Sequence, residues 1–198
     1  MPTKLILIRH GETNWNLEKR YSGLADIALN TIGKRQARRL RERLKGEVIY
    51  KVYSSDRKRA VQTAAIIFQK AAIDKVPDLK EMDFGVFEGL TYEQVMKKYP
   101  AIYKKWLSNP FGTSIPEGEG LSAFGMRVSG AIKRILSCNR GKTVAVISHG
   151  GAISIFVNKI TKSGDFWGLM PSSASISIIE FTGGRPKVRL LNDTTHLF

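Results

Sequence analysis

Three apolar stretches set the framework of the chain. Leu5-Ile6-Leu7-Ile8 follows Lys4 without a polar break and ends in Arg9-His10-Gly11. Val48 to Tyr53 is a second stretch, and Thr143-Val144-Ala145-Val146-Ile147 a third, ending in Ser148-His149-Gly150-Gly151. Runs that do not alternate with polar residues suit strands covered on both faces, as in a parallel sheet. Between them the period changes. Ala37, Leu40 and Leu44 recur at helical spacing, which predicts a helix from a Thr31 cap to about Lys45, stopped by Gly46. Ser54-Ser55-Asp56 offers capping residues for a helix through Gln69, and another is expected from Ala152 to about Ile160. Ser175 to Phe181 and Lys187 to Leu191 read as a hairpin around Gly183-Gly184.

Strands alternating with helices predict a three-layer α/β/α sandwich around a mainly parallel central sheet. The region 82–128 breaks that rhythm with Pro100, Pro110, Pro116 and several glycines, and shows two short helical pieces, Tyr92 to Lys98 and Ala101 to Leu107. It is expected to be a small helical insertion over the active site of a single domain spanning 1–198. In open α/β sheets, ligands bind beyond the carboxyl ends of the strands. His10 and His149 each follow a buried strand, so both fall at one sheet edge, and they converge if those strands are neighbours.

Composition narrows the class. The chain has 198 residues, 42% hydrophobic and 25% charged, ordinary values for a globular protein able to bury a core without disulfide or metal. The lone Cys138 cannot pair internally; it ends a helix-like stretch and is read as core. The first apolar run is too short for a signal peptide or membrane span, so a cytoplasmic protein is expected, with no membrane partner. The net charge of +15 invites an anionic partner. Its densest part, Lys34 to Lys45, places basic residues opposite Ala37, Leu40 and Leu44 without interleaved aromatics. That pattern fits a solvated helix face better than a nucleic-acid site. There is no HExxH or CxxC, no GxxxxGK[ST] and no GxGxxG, which argues against a metal hydrolase or a nucleotide-driven enzyme.

The residues at the strand ends suit phosphoryl transfer, which needs a nucleophile, cationic donors and an acid for the leaving oxygen. A neutral imidazole can attack phosphorus, which points to His10. Arg9 offers forked donors for phosphate oxygens, Gly11 close backbone approach and Asn16 an amide hydrogen. Arg59 would lie in the first turn of the helix after Ser54-Ser55-Asp56, where anions are favoured, while Arg57 and Lys58 turn to solvent. Glu81 has apolar neighbours that can raise its pKa into the range of a general acid. Glu88 is its rival, with a structural role, bonding backbone amides of its glycine-rich turn, as the stronger reading. His149, with Gly150 behind it, can stabilise charge on the transferring group. His196, in the tail, is given no catalytic role.

Five segments then follow in one order: LIRHGETNWN (7–16), YSGLADIALN (21–30), SSDRKRAVQTA (54–64), EMDFGVFEGLTYEQV (81–95) and VISHGG (146–151). Together they resemble the histidine phosphatase superfamily, the phosphoglycerate mutase-like proteins. The resemblance implies that His10 becomes phosphorylated and that Arg9, Arg59 and His149 form the phosphate pocket. It makes Glu81 the proton donor, has Asn16 assist phosphate binding and places Ser22 and Gly23 near the substrate. No metal or other cofactor is implied, and the expected partner is a small phosphorylated metabolite; a homodimer is left open. The middle of the chain resembles α-ribazole-5′-phosphate phosphatases through Tyr99-Pro100, Tyr103, Trp106, Asn109-Pro110 and Pro116-Glu117-Gly118-Glu119-Gly120-Leu121, with Gly120 where that group carries serine. Phosphoserine phosphatases, broad-specificity relatives, the longer mutases and a non-catalytic phospho-ligand-binding scaffold stay open as alternatives.

Overall fold

The computed structural model describes all 198 residues, Met1–Phe198. Six strands form one sheet in the order β3-β2-β4-β1-β5-β6. They are β1 (Thr3–Arg9), β2 (Lys51–Ser54), β3 (Ile73–Lys75), β4 (Thr143–Ser148), β5 (Ile176–Thr182) and β6 (Arg185–Asp193). The first four in that order run parallel, and the β5–β6 hairpin is added antiparallel to β1. The helices are α1 (Asn14–Leu17), α2 (Thr31–Arg43), α3 (Lys58–Phe68), α4 (Tyr92–Lys98), α5 (Pro100–Ser108), α6 (Leu121–Cys138) and α7 (Gly150–Thr161).

The unbroken apolar runs have the cause inferred for them. Along β1, Leu5 and Leu7 enter one buried cluster, while Ile6 and Ile8 enter a second on the opposite face. On β4, Val144 and Val146 go one way and Ala145 and Ile147 the other. Helices α6 and α7 contribute to the first cluster, and α2 and α3 to the second. Each fully buried Leu or Ile stabilises the fold by about 1.5–3 kcal/mol, so the two central strands anchor both layers. No helix is long and apolar enough to cross a membrane.

Several boundaries move, each for a local reason. Asn30, not Thr31, caps α2, its side chain accepting from the Gly33 amide at 2.8 Å; asparagine is the stronger cap of the two. The helix ends at Leu44 before reaching Gly46. β2 begins at Lys51 because Val48 and Tyr50, at 90% and 62% exposure, lie outside the sheet. α3 has Arg57 at its N-cap position with no side-chain cap. Leu121 opens the continuous helix α6, so a limit of 128 for the insertion falls inside a sandwich helix. Cys138, at the end of α6, is exposed rather than core. β3, a three-residue edge strand, carries no pattern that announces it.

Candidate active site

β1 and β4 are parallel neighbours with Arg9 opposite Ser148, so the residues that follow them meet. The rings of His10 and His149 stand edge to face, 5.2 Å between centroids. Both are buried, His10 at 3% and His149 at 0% exposure.

Backbone contacts fix the tautomer of His10. Its Nδ1 lies 2.7 Å from the Gly11 carbonyl, which can only accept, so Nδ1 carries the hydrogen. Burial, with the nearby Arg59 and Arg9 cations, holds the pKa of His10 well below 6.5. The ring is therefore neutral, with its Nε2 lone pair free. The loop carrying it is seated tightly: a Cβ on Gly11 would lie 2.6 Å from the Gly33 carbonyl. The close approach expected at Gly11 is thus to α2, not to a ligand.

Arg9 donates through Nη1 to the Pro171 carbonyl at 2.5 Å, while its buried Nε has no partner. An unpaired buried guanidinium nitrogen at a pocket wall suits an anion. Arg59 is different. Its Nε donates to His149 Nδ1 at 3.2 Å, Nη1 to Ala25 O at 2.7 Å, and Nη2 to Ser22 O and Gly23 O at 3.0 Å each. Burial pulls its pKa down to about 10, which leaves it charged at neutral pH. With four of its five N–H groups engaged, Arg59 clamps the 22–25 loop and orients His149 instead of lining the pocket. His149 is likewise saturated, donating from Nε2 to Ser55 Oγ at 2.8 Å. Its pKa is held well below 6.5 by burial and by Arg59. In this geometry both ring nitrogens of His149 are engaged, the donor expected for the transferring group meeting Ser55 instead, and the ring backs that of His10.

Glu81 is buried, and burial raises its pKa above 4.5 despite hydrogen bonds from two amides, Gly151 N at 2.9 Å and Met82 N at 3.0 Å. Gly151 permits that approach, since a Cβ there would lie 2.6 Å from Glu81 Oε1. Gly150 and Gly151 open α7, which begins two residues before the expected Ala152. Glu88 does bond backbone amides, but those of Gly23 and Ala25, at 3.0 Å, rather than its own turn. Asn16 accepts from Thr13 N and Oγ1 through Oδ1, leaving its amide nitrogen without a partner in the chain. Arg57 is pinned to Asp56 and to the Leu24 carbonyl, and Lys58 is exposed.

Arg9, His10, Asn16, Ser22, Glu81 and Gly150 line one cavity of about 300 Å³, within the range of small-ligand sites. Gly23, Arg59 and His149 stand behind its wall. Much of the remaining lining was not singled out as a site: Tyr21, Phe84, Tyr92, Tyr103, Trp106, Phe166 and Trp167 make an aromatic chamber, and Arg20 lines it too. Arg20 is paired to Glu18 at 2.5 Å and bonded to the Gly89 carbonyl at 2.8 Å. No three His, Cys, Asp or Glu side chains are grouped so as to hold a metal ion.

A neutral buried histidine beside an arginine with an unpaired Nε and a protonatable carboxyl, at the carboxyl edge of this sheet, defines a phosphoryl-transfer site. Residues 5–194 match the histidine phosphatase superfamily (branch 1), and the chain belongs to that family. It is a phosphatase of that class, a phosphoric monoester hydrolase. It is similar, at 35% identity over 98% of this chain and 86% of the other, to phosphoglycerate mutase-like protein 4 of Arabidopsis thaliana. It is 33% identical to phosphoserine phosphatase 1 of Hydrogenobacter thermophilus, covering 98% of this chain and 94% of the other. The solved alpha-ribazole phosphatase of Shigella flexneri superposes with a TM-score of 0.87 over 96% of each chain, at 28% identity.

Proposed function

We propose that the chain hydrolyses phosphomonoesters through covalent catalysis at His10, and that its substrate carries a flat, uncharged leaving group of the α-ribazole 5′-phosphate type, of cobalamin synthesis. The neutral Nε2 of His10 attacks phosphorus, and the bond from phosphorus to the ester oxygen breaks. Arg9 and the amide of Asn16 hold the equatorial oxygens, with the unpaired first-turn amide of Gly150 beside them. The departing oxygen takes a proton from the Glu81 carboxyl, whose pKa burial raises. Water then attacks the phosphohistidine, giving a proton back to the Glu81 carboxylate. Cleavage of the phosphorus–nitrogen bond releases phosphate and restores neutral His10.

The observation that carries the leaving-group reading is the chamber. Phosphoserine brings an ammonium and a carboxylate, and 3-phosphoglycerate a carboxylate; each needs an oppositely charged partner when buried. Apart from the reacting groups Arg9, His10 and Glu81, the only charged residue in the lining is Arg20, which is paired to Glu18. The aromatic rings instead match a planar base such as the benzimidazole of α-ribazole. The similarity to a phosphoserine phosphatase supports phosphoserine as the second reading.

The test is phosphate release from α-ribazole 5′-phosphate, phosphoserine, 3-phosphoglycerate and an aryl phosphate, with wild type and His10→Ala. The expected result is a kcat/KM at least about tenfold higher for the ring-bearing esters, equivalent to about 1.4 kcal/mol, and no turnover by the variant. A preference for phosphoserine would overturn the leaving-group reading. Turnover by His10→Ala would overturn the nucleophile. Glu81→Gln is expected to slow alkyl esters more than aryl esters, whose leaving oxygens need less protonation.

A further inference from the structure

The mechanism leaves one half-buried histidine unused. His196 lies in the single-turn helix Thr195–Leu197 at the end of the chain. Its Nε2 stands 3.0 Å from the Ala174 carbonyl, so Nε2 carries a hydrogen and donates it. Its Nδ1 is buried without a partner, so the ring is held for that one bond. Ala174 is itself unusual: fully buried, and left-handed at φ 58°, a conformation that non-glycine residues adopt only when their surroundings enforce it.

What Ala174 and its neighbours hold is the reacting end of β1. The Ala174 amide donates to the His10 carbonyl at 3.1 Å, and the Ser175 carbonyl accepts from the Arg9 amide at 3.2 Å. Three residues earlier, the Pro171 carbonyl takes the Arg9 guanidinium at 2.5 Å. The segment 171–175 is thus the back wall of both the nucleophile and its phosphate arginine. The tail fastens over it: Leu197 packs on the α2–α3 side of the sheet, the Leu197 carbonyl accepts from Arg39, and Asn192 Oδ1 accepts from the Ser172 amide at 2.7 Å.

We infer that His196 is a positioning residue for phosphoryl transfer. Through its bond to the Ala174 carbonyl it holds the left-handed turn that clamps Arg9 and His10 from behind. The inference rests on the proposed roles of those two residues. His196 touches neither substrate nor the reacting atoms, so its loss acts on geometry. A misplacement of about an ångström can lower turnover by up to about a hundredfold, and a bond lost at one remove is expected to lower kcat by about tenfold with KM changed less than about twofold.

The experiment compares two pairs that differ in the donor and little else. Wild type and His196→Phe keep a ring, with and without the N–H. His196→Gln and His196→Met share one reach, with and without it. Rates are taken on an aryl phosphate well below each variant's melting temperature, with vanadate affinity as a second readout of transition-state geometry. The inference requires kcat and vanadate affinity to fall together in Phe and Met, with Gln within about threefold of wild type. Should Phe fail to fold, the Gln and Met pair decides alone. Wild-type kcat in a folded Phe or Met variant would overturn the inference, as would a loss confined to KM or one that Gln does not restore. His10→Ala, run alongside, separates the two readings: activity there defeats the nucleophile, whereas inactivity there with an active His196→Phe defeats only the role of the tail.

Discussion

At the phosphate end of the cavity, polar side chains are fixed by backbone. His10 is held by the Gly11 carbonyl, Glu81 by two amides, Arg59 by three carbonyls and Arg9 by one. At the chamber end the contacts are ring against ring, such as Trp106 on Trp167 at 4.9 Å and Tyr21 on Phe84 at 4.9 Å. Hydrogen bonds there are few: Tyr21 to Tyr103 at 3.2 Å, and Trp167 to the Leu107 carbonyl at 3.1 Å. The first end is an extension of the sheet and has one geometry. The second is assembled from Tyr21, the 82–120 region and the loop after α7, and its shape follows whatever rings those segments carry. Chemistry common to many esters belongs at the rigid end, and discrimination between them at the other.

That division predicts that damage at the phosphate end ignores the leaving group. Arg9→Ala is expected to lower kcat/KM by about 10²–10³ on every ester, the usual loss for a donor to a developing anion. A loss that differs by more than about tenfold between alkyl and aryl esters would erase the distinction between the ends. Gly151→Ala should come next. Its Cβ would sit 2.6 Å from Glu81 Oε1, so the carboxyl must move. The expected loss is about ten- to a hundredfold in kcat, with the melting temperature little changed because alanine favours the helix. Unchanged kcat would show that Glu81 is not held for proton transfer.

The two ends also differ in acid. The folded pKa values of His10 and His149 are depressed below 6.5, so only the unfolded chain takes up their protons as pH falls from there. Their stabilising contribution is full above about pH 6.5 and is lost as pH drops toward the folded values, at up to about 1.4 kcal/mol per unit for each ring. Glu81 acts in the opposite sense. Its pKa is raised above 4.5, so its contribution is full below 4.5 and lost as pH rises through the folded value. The chamber tyrosines Tyr21 and Tyr92, pushed upward by burial, do not titrate in this window. Denaturant midpoints should therefore fall between pH 6.5 and 5, and more steeply in Glu81→Gln. A flat profile would mean that the two histidines are not held neutral.

The same contrast governs what could be read from the chain. The strands that place His10 and His149 are unbroken apolar runs, so their burial on two faces and their shared edge were legible. Arg9, Asn16, Ser22, Glu81 and Gly150 do line one cavity. Arg59 and His149 stand behind the cavity wall with contacts that no pattern announces, because the engagement of Arg59 by the carbonyls of Ser22, Gly23 and Ala25 depends on how a remote loop folds. Periodicity carries no trace of the chamber, whose rings come from Tyr21, from Phe84 to Trp106 and from Phe166-Trp167. The bond from His196 to Ala174 spans 22 residues and rests on one left-handed alanine. Neither local propensity nor pattern encodes such a contact.

The smallest expected effect is the most specific to the chamber. Trp167 joins the loop after α7 to the end of α5 by its single bond to the Leu107 carbonyl, and its ring closes on Trp106. Trp167→Phe keeps an aromatic wall and removes the N–H. A neutral hydrogen bond at a half-exposed site contributes about 0.5–1 kcal/mol. If that bond holds the chamber closed around a planar leaving group, kcat/KM for a ring-bearing ester should fall about two- to fivefold. The loss should appear in KM, because His10, Arg9 and Glu81 are untouched. Small alkyl phosphates, which leave most of the chamber empty, should lose less. An equal loss on both, or one carried by kcat, would mean that the rigid end depends on the closure of the other, and the two halves would have to be treated as one unit.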